Sequence, residues 1–141
     1  MKSIKMILVV DDDPEDRFII EDGFAEIGMG DTVQYEENGE RALSYLRAVA
    51  DDGTLPCLII LDLNMPKMNG TQTLRAIKED PRLRKITVLI YSTSLNPIEK
   101  EECLQLGAQE FIIKPVTYTE SLKVVHYFKT LCDGLNSTVE S

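Results

Sequence analysis

Apolar residues fall in short unbroken runs separated by longer stretches with helical spacing. Met6-Ile7-Leu8-Val9-Val10 stops at Asp11-Asp12-Asp13, Cys57-Leu58-Ile59-Ile60-Leu61 stops at Asp62, and Thr87-Val88-Leu89-Ile90-Tyr91 stops at Ser92. Continuous apolarity over so few residues predicts strands buried on both faces, the habit of parallel sheets. Glu110-Phe111-Ile112-Ile113 predicts a further strand ending at Lys114-Pro115, and the alternation in Thr32-Val33-Gln34-Tyr35-Glu36 predicts a more exposed one.

Amphipathic stretches fill the gaps. Pro14 opens the first helix with Asp12 or Asp13 as N-cap; Phe18, Ile19, Phe24, Ala25 and Ile27 form its apolar face, and Gly28 and Gly30 end it. After Asn38-Gly39, residues 40–50 turn Ala42, Leu43, Leu46 and Val49 inward, and Asp51-Asp52-Gly53 closes that helix. A loop with Pro66 leads to a helix from Gly70 to about Glu79, broken by Asp80-Pro81. Asn96-Pro97 begins the next, with Gly107 past its end, and the last spans about residues 119–132. The polar residues 133–141 are expected to fray, giving one domain over 1–132 and a short tail. Strands alternating with helices argue a doubly wound α/β fold: a five-stranded parallel sheet with five helices, placed on both faces by right-handed crossovers.

In such a sheet, ligands bind beyond the carboxyl ends of the strands, where the strand order reverses. Asp11-Asp12, Asp62, Ser92 and Lys114 all stand at strand ends and therefore converge on one crevice. Carboxylates crowded there repel one another and remain ionised only around a cation. All-oxygen ligation of this kind suits Mg2+, which commonly serves phosphate chemistry. Lys114 adds a point charge, Ser92 a hydroxyl donor, and Asp62 a carboxylate able to accept a phosphoryl group. Taken alone, the aspartate run is equally a helix cap. An EF-hand loop fits badly, because Asp16 stands where Gly is needed and Asp22 where a bidentate Glu is needed.

Composition narrows the function classes. The chain of 141 residues carries a formal charge of -9, which argues against nucleic acid and anionic membrane as partners. No apolar run approaches the ~18 residues of a membrane span, and the N-terminus lacks the pattern of a signal peptide. Cys57, Cys103 and Cys132 lie in apolar runs without metal-ligand spacing, so they are expected to be buried free thiols in a cytoplasmic protein.

Ile7-Leu8-Val9-Val10-Asp11-Asp12-Asp13, Leu61-Asp62-Leu63-Asn64-Met65-Pro66, Ser92-Thr93-Ser94 and Phe111-Ile112-Ile113-Lys114-Pro115 resemble the response-regulator receiver family, over about residues 4–132. Leu61 to Lys67, with Ile77-Lys78-Glu79-Asp80-Pro81 and the stretch after Tyr91, is most similar to the small receivers that serve bacterial phytochromes. The resemblance implies a flavodoxin-like strand order 2-1-3-4-5 and a phosphorelay: a sensor histidine kinase, of phytochrome type by the closer likeness, donates a phosphoryl group to Asp62. It implies Mg2+ held directly by Asp12, Asp62 and the backbone carbonyl of Asn64, with Asp11 acting mostly through water. Lys114 would hold Asp62 and then the phosphoryl group, Ser92 would move toward it, and Phe111 would turn into the vacated space. Lys114-Pro115 would be a cis peptide, and Asn64 and Ser94 would govern water access. Such a protein is not an enzyme beyond catalysing its own phosphorylation and dephosphorylation.

Output then runs through protein contacts on the fourth helix, fifth strand and fifth helix. Leu122, Val125, Phe128 and Cys132, widened by Val124, Tyr127 and Leu131, give the last helix an apolar arc broader than a surface helix needs, which points to a homodimer. His126, the single histidine, lies on that helix's polar side and reads as a surface residue. Two rival functions remain: a haloacid-dehalogenase-like phosphatase using Asp11-x-Asp13, and a pseudo-receiver that takes no phosphoryl group. The first leaves Asp62-Leu63-Asn64 without a role; the second conflicts with an intact set of site residues.

Overall fold

The computed structural model describes residues 5–140, with backbone alone over 136–140. Five strands, β1 (Ile7–Val10), β2 (Val33–Glu36), β3 (Leu58–Leu61), β4 (Thr87–Ser92) and β5 (Glu110–Ile113), form one parallel sheet in the order β2-β1-β3-β4-β5. Between and after them run α1 (Pro14–Glu26), α2 (Gly39–Asp52), α3 (Gly70–Glu79), α4 (Pro97–Gln105) and α5 (Tyr118–Glu140).

Alternation along each strand sorts side chains between two cores. Leu8, Val10, Ile59, Leu61, Val88 and Ile90 face Leu46 of α2, Leu74 and Ile77 of α3 and Cys103 of α4. Ile7, Val9, Leu58, Ile60, Leu89 and Tyr91 face Ile20 and Phe24 of α1 and Val125, Phe128 and Cys132 of α5. The three central strands are covered on both sides, which is why they read as unbroken apolar runs, while β2 is half-buried beyond Val33.

Register sets the site. Val10 pairs with Leu61 and Leu61 with Ile90, so β1, β3 and β4 reach the same level together. The backbone continues in step one residue further, where the Asp62 N–H donates to the Val10 carbonyl at 3.0 Å. Gly70, at the start of α3, donates its N–H to the Leu63 carbonyl at 3.0 Å. A Cβ at Gly70 would collide with the backbone of Asp62 and Leu63, so a glycine is needed to bring α3 against the loop after β3.

Two expectations need correction. The inward face of α1 is Ile20, Gly23 and Phe24, whereas Phe18 is exposed. Gly23 lies where α5 crosses, and a Cβ there would stand 2.9 Å from Val125 Cγ2, so close helix approach rather than apolar count chose the face. Helix α5 also does not stop at Cys132 but continues to Glu140. No proline interrupts it, and Lys129 pairs with Asp133 one turn on at 2.8 Å, across the predicted end.

Candidate functional site

Asp11 and Asp12 follow β1, and Asp62 follows β3. One carboxylate oxygen from each lies within 4.8 Å of the others. Asp11 and Asp62 are buried, and Asp12 is half-buried. The Asp62 carboxylate accepts the Leu63 N–H at 2.8 Å and also the Asn64 N–H. Burial still dominates and pushes its pKa up to about 6; Lys114 opposes this, and the Asp11 charge adds to it. Burial likewise raises Asp11, against hydrogen bonds from Lys114 and the Asp13 N–H.

Lys114 follows β5 and points its ammonium into the group. Its Nζ lies 2.7 Å from Asp11 Oδ2, 2.8 Å from Asp16 Oδ2 and 3.6 Å from Asp62 Oδ2. Burial disfavours the Lys114 charge, but the hydrogen bonds to Asp11 and Asp16 outweigh it and hold the pKa above the ordinary lysine range. Asp16 is the residue that sequence reasoning missed. It sits in the first turn of α1, and Asp13 completes that turn as N-cap by accepting the Glu15 and Asp16 N–H groups. The signal was available in the spacing, since a cap at Asp13 puts the third helical residue, Asp16, at the mouth of the same crevice.

The remaining predicted residues lie around an open cleft of about 650 Å³, lined by Asp12, Asp16, Asp62, Asn64, Thr93 and Lys114 among others. Ser92 is fully buried, and its Oγ accepts the Ser94 N–H at 3.2 Å, so Thr93 rather than Ser92 lines the cleft here. Ser94 donates to Glu99 Oε1 at 2.7 Å. Phe111, paired with Ile90 across β4 and β5, is half-buried against the α2–α3–α4 core. The expected cis peptide at Lys114-Pro115 is corrected: no peptide bond among the described residues is cis. Trans is the default for X–Pro by about 0.5–1 kcal/mol. The turn leads straight to fully exposed Val116, so little packing selects against trans, and the ion pairs aim Lys114 instead.

The donor set fits a hard divalent cation. Asp11, Asp12, Asp16 and Asp62 oppose a single ammonium, and every available ligand atom is oxygen. A second positive centre would offset the burial, and the lesser repulsion from Asp11, that together raise Asp62.

Residues 7–126 match the family of the response regulator receiver domain. The chain belongs to that family. It is similar to the chemotaxis protein CheY1 of Helicobacter pylori, 34% identical over 122 residues that cover 84% of this chain and 94% of CheY1. Among solved structures, the phosphorylated cyanobacterial phytochrome response regulator RcpA superposes with a TM-score of 0.80 at 31% identity, covering 89% of this chain and 91% of RcpA. The Mn2+-bound response regulator Rcp1 gives 0.75 at 25% identity, covering 89% of this chain and 92% of Rcp1. This receiver is thus a response regulator of a two-component phosphorelay. Receivers of this kind interact with histidine kinases, bind a divalent metal in the acidic pocket and act in general as signalling proteins rather than enzymes. No described helix is long and apolar enough to cross a membrane.

Proposed function

We propose that Asp62 is the phosphoacceptor, taking a phosphoryl group from a histidine kinase of the phytochrome class in the cytoplasm, and that Mg2+ is the metal. The observation that carries this is the Asp62 carboxylate, buried at the end of β3 beside Asp11 and Asp12, with the Lys114 ammonium 3.6 Å away and its approach open through the cleft. Asp12, Asp62 and the Asn64 carbonyl would hold the ion, with Asp11 beside it. Bound there, Mg2+ neutralises charge on the phosphoryl oxygens.

The chain's own residues do the rest. An Asp62 oxygen attacks the phosphorus in line, and the donor histidine leaves with the bonding pair. Lys114 moves from Asp11 and Asp16 toward the new phosphoryl oxygens. Ser92 turns its hydroxyl from the Ser94 N–H toward the same group, and Phe111 moves into the space it leaves. The added charge, roughly -1.5 to -2, biases this packed pair of states rather than building a new fold. Beyond this self-phosphorylation and its reversal the receiver has no catalytic role.

Output is a contact, with a second copy as partner. Val124 and Leu131 of α5 are half-buried against the chain's own core, which uses up part of the broad apolar arc. Of the eight large exposed hydrophobics among the described residues, five lie in or beside α4 and β5, namely Leu95, Ile98, Leu104, Ile113 and Val116, while Tyr118 and Tyr127 lie on α5 and Phe18 on α1. The homodimer therefore forms through the α4–β5–α5 face with α4 and β5 at its centre.

Acetyl phosphate with Mg2+ tests the reading. Intact mass should report one phosphoryl group on the wild type, none on Asp62→Asn, and sedimentation should report a shift toward dimer. A group retained by Asp62→Asn and lost in Asp11→Asn would sink the assignment of Asp62, and no modification at all would make the protein a pseudo-receiver.

A further inference from the structure

At the amino-terminal ends of the strands, opposite the cleft, two thiols meet. Cys57 directly precedes β3, and its N–H donates to the Met6 carbonyl just before β1 at 2.9 Å. Cys132 lies on α5, 75 residues away in the chain, and its Sγ is 3.1 Å from Cys57 Sγ. Neither cysteine is in a disulfide. Cys103 is remote from both, packed in the other core beside Thr71. The response-regulator chemistry uses none of them.

We propose that Cys57 and Cys132 are a site of reversible oxidation, closing to a disulfide that ties α5 to the start of β3. The distance is the first support. A disulfide needs its sulfurs about 2.0 Å apart, so roughly 1 Å of approach suffices, and both residues already sit in adjacent packed elements. Division of labour between the thiols is the second. Cys57 is half-buried and Cys132 fully buried, so an oxidant meets Cys57 first. The hydrogen bond from Cys132 holds the Cys57 thiol below its ordinary pKa, while that same contact, together with burial, pushes Cys132 up. Cys57 is thus the attacking sulfur and Cys132 the resolving one.

With hydrogen peroxide as oxidant the step balances. The Cys57 thiolate attacks one peroxide oxygen, the O–O bond breaks, and hydroxide leaves with the bonding pair, giving a sulfenic acid. The Cys132 sulfur then attacks Cys57 Sγ, the S–O bond breaks, and the Cys132 proton leaves in the water released. Two thiol sulfurs are oxidised and one peroxide is reduced. A thiol reductant such as glutathione reverses it by exchange, the usual behaviour of an intracellular regulatory disulfide.

Placement gives the bond a consequence. The first turn of α5 reaches the cleft side, where Ser121 shares a small cavity with Tyr91, Lys114 and Asp16. Cys132 holds that helix at the other end of β3, roughly 13 Å along the strand. Oxidation therefore fixes α5 without touching the aspartates, and makes a second input to the helix.

The test uses the full chain, reduced, desalted and exposed to hydrogen peroxide, then labelled under denaturing conditions with N-ethylmaleimide. Of its three cysteines, one should take label, Cys103, and dithiothreitol should restore all three. Digestion should yield a Cys57–Cys132 cross-linked peptide. Cys57→Ser should form no disulfide, and Cys103→Ser should form it as the wild type does. The thermal midpoint of the oxidised protein should rise, on the order of 10 °C for so long a loop. Full labelling after peroxide, stable oxygen addition at Cys57 with Cys132 still labelled, disulfide-linked dimers, or a lowered midpoint would overturn the proposal.

Discussion

Leu61 and Asp62 are neighbours in sequence and opposites in energetics. Leu61 is fully enclosed by apolar side chains from both partner strands and the helices beyond them. Asp62 is nearly as enclosed but carries a carboxylate whose surroundings resist its charge. Below that boundary the molecule consists of contacts that the fold prefers. Above it stand the carboxylates of Asp11 and Asp62, whose charge burial disfavours, held in place by the strands beneath. The difference teaches that the receiver's stability and its chemistry are supplied by separate layers, and that mutations on either side of the boundary should have opposite signs.

The largest effect is expected in the interior. Phe128 is fully buried, stacked on Phe24 with ring centroids 6.5 Å apart and meeting Tyr91 edge-on at 5.5 Å. Phe128→Ala should cost about 3–5 kcal/mol in urea unfolding, the usual loss for a large aromatic truncated in a tight core. A loss below about 1 kcal/mol would mean that α5 is not a structural member of this layer. Next comes the rim with its missing charge supplied. Mg2+ at a hundredfold excess over its dissociation constant should add about 2.7 kcal/mol of stability by mass action. Asp12→Asn should remove most of this increment, because it deletes a ligand without touching the core. Unfolding curves that coincide with Mg2+ and with chelator would end the case for a metal at this cluster.

Much of this division was legible in the sequence. The runs ending at Val10, Leu61 and Tyr91 announce strands buried on both faces. The polar residue after each run announces the site, because a parallel sheet aligns strand ends without long-range information. Contacts decided by one surface meeting another were not legible. Phe18 and Ile20 are equally apolar, and only the α5 crossing at Gly23 chooses between them. A cap at Asp13 places Asp16 at the crevice, but nothing in the chain says that Lys114 will reach it, nor that the peptide to Pro115 will be trans. The Cys57–Cys132 approach likewise exists only once α5 is laid on the sheet.

Removing the charge at Asp62 reverses the sign seen in the core. In the metal-free protein Asp62 keeps its proton up to about pH 6, against 3.8 for an unperturbed aspartate carboxyl. A raised carboxyl contributes stability that is fully present below the unfolded value and lost as pH climbs through the folded one. Above pH 7 the wild type therefore bears the whole cost of the buried charge. Asp62→Asn should be more stable there by about 1–2 kcal/mol, after allowing for screening through the open cleft. The gain should shrink as pH falls from about 6 toward 4. Urea unfolding of both proteins across that range in chelator checks the sign. A destabilised Asp62→Asn at pH 7.5 would show that its hydrogen bonds from Leu63 and Asn64 matter more than its desolvation.

The smallest effect is expected at Asp16, and it bears on the boundary most directly. Its side chain is one-third exposed, so its ion pair with Lys114 is partly screened, and Asp16→Asn should change stability by less than about 1 kcal/mol. The chemistry should respond in the other direction. Asp16 and Asp11 hold the Lys114 ammonium at 2.8 and 2.7 Å while Asp62 waits at 3.6 Å. Weakening one competitor frees a donor hydrogen to reach Asp62 and the arriving phosphoryl oxygens. A shift of under about 1 kcal/mol in that competition corresponds to a rate gain of at most about fivefold. Phosphorylation by acetyl phosphate at fixed saturating Mg2+ should therefore quicken roughly two- to fivefold in Asp16→Asn. Asp16→Glu, which retains the charge on a longer arm, should stay near the wild-type rate. A slower Asp16→Asn would place Asp16 among the groups that steady Lys114 for transfer rather than those that detain it.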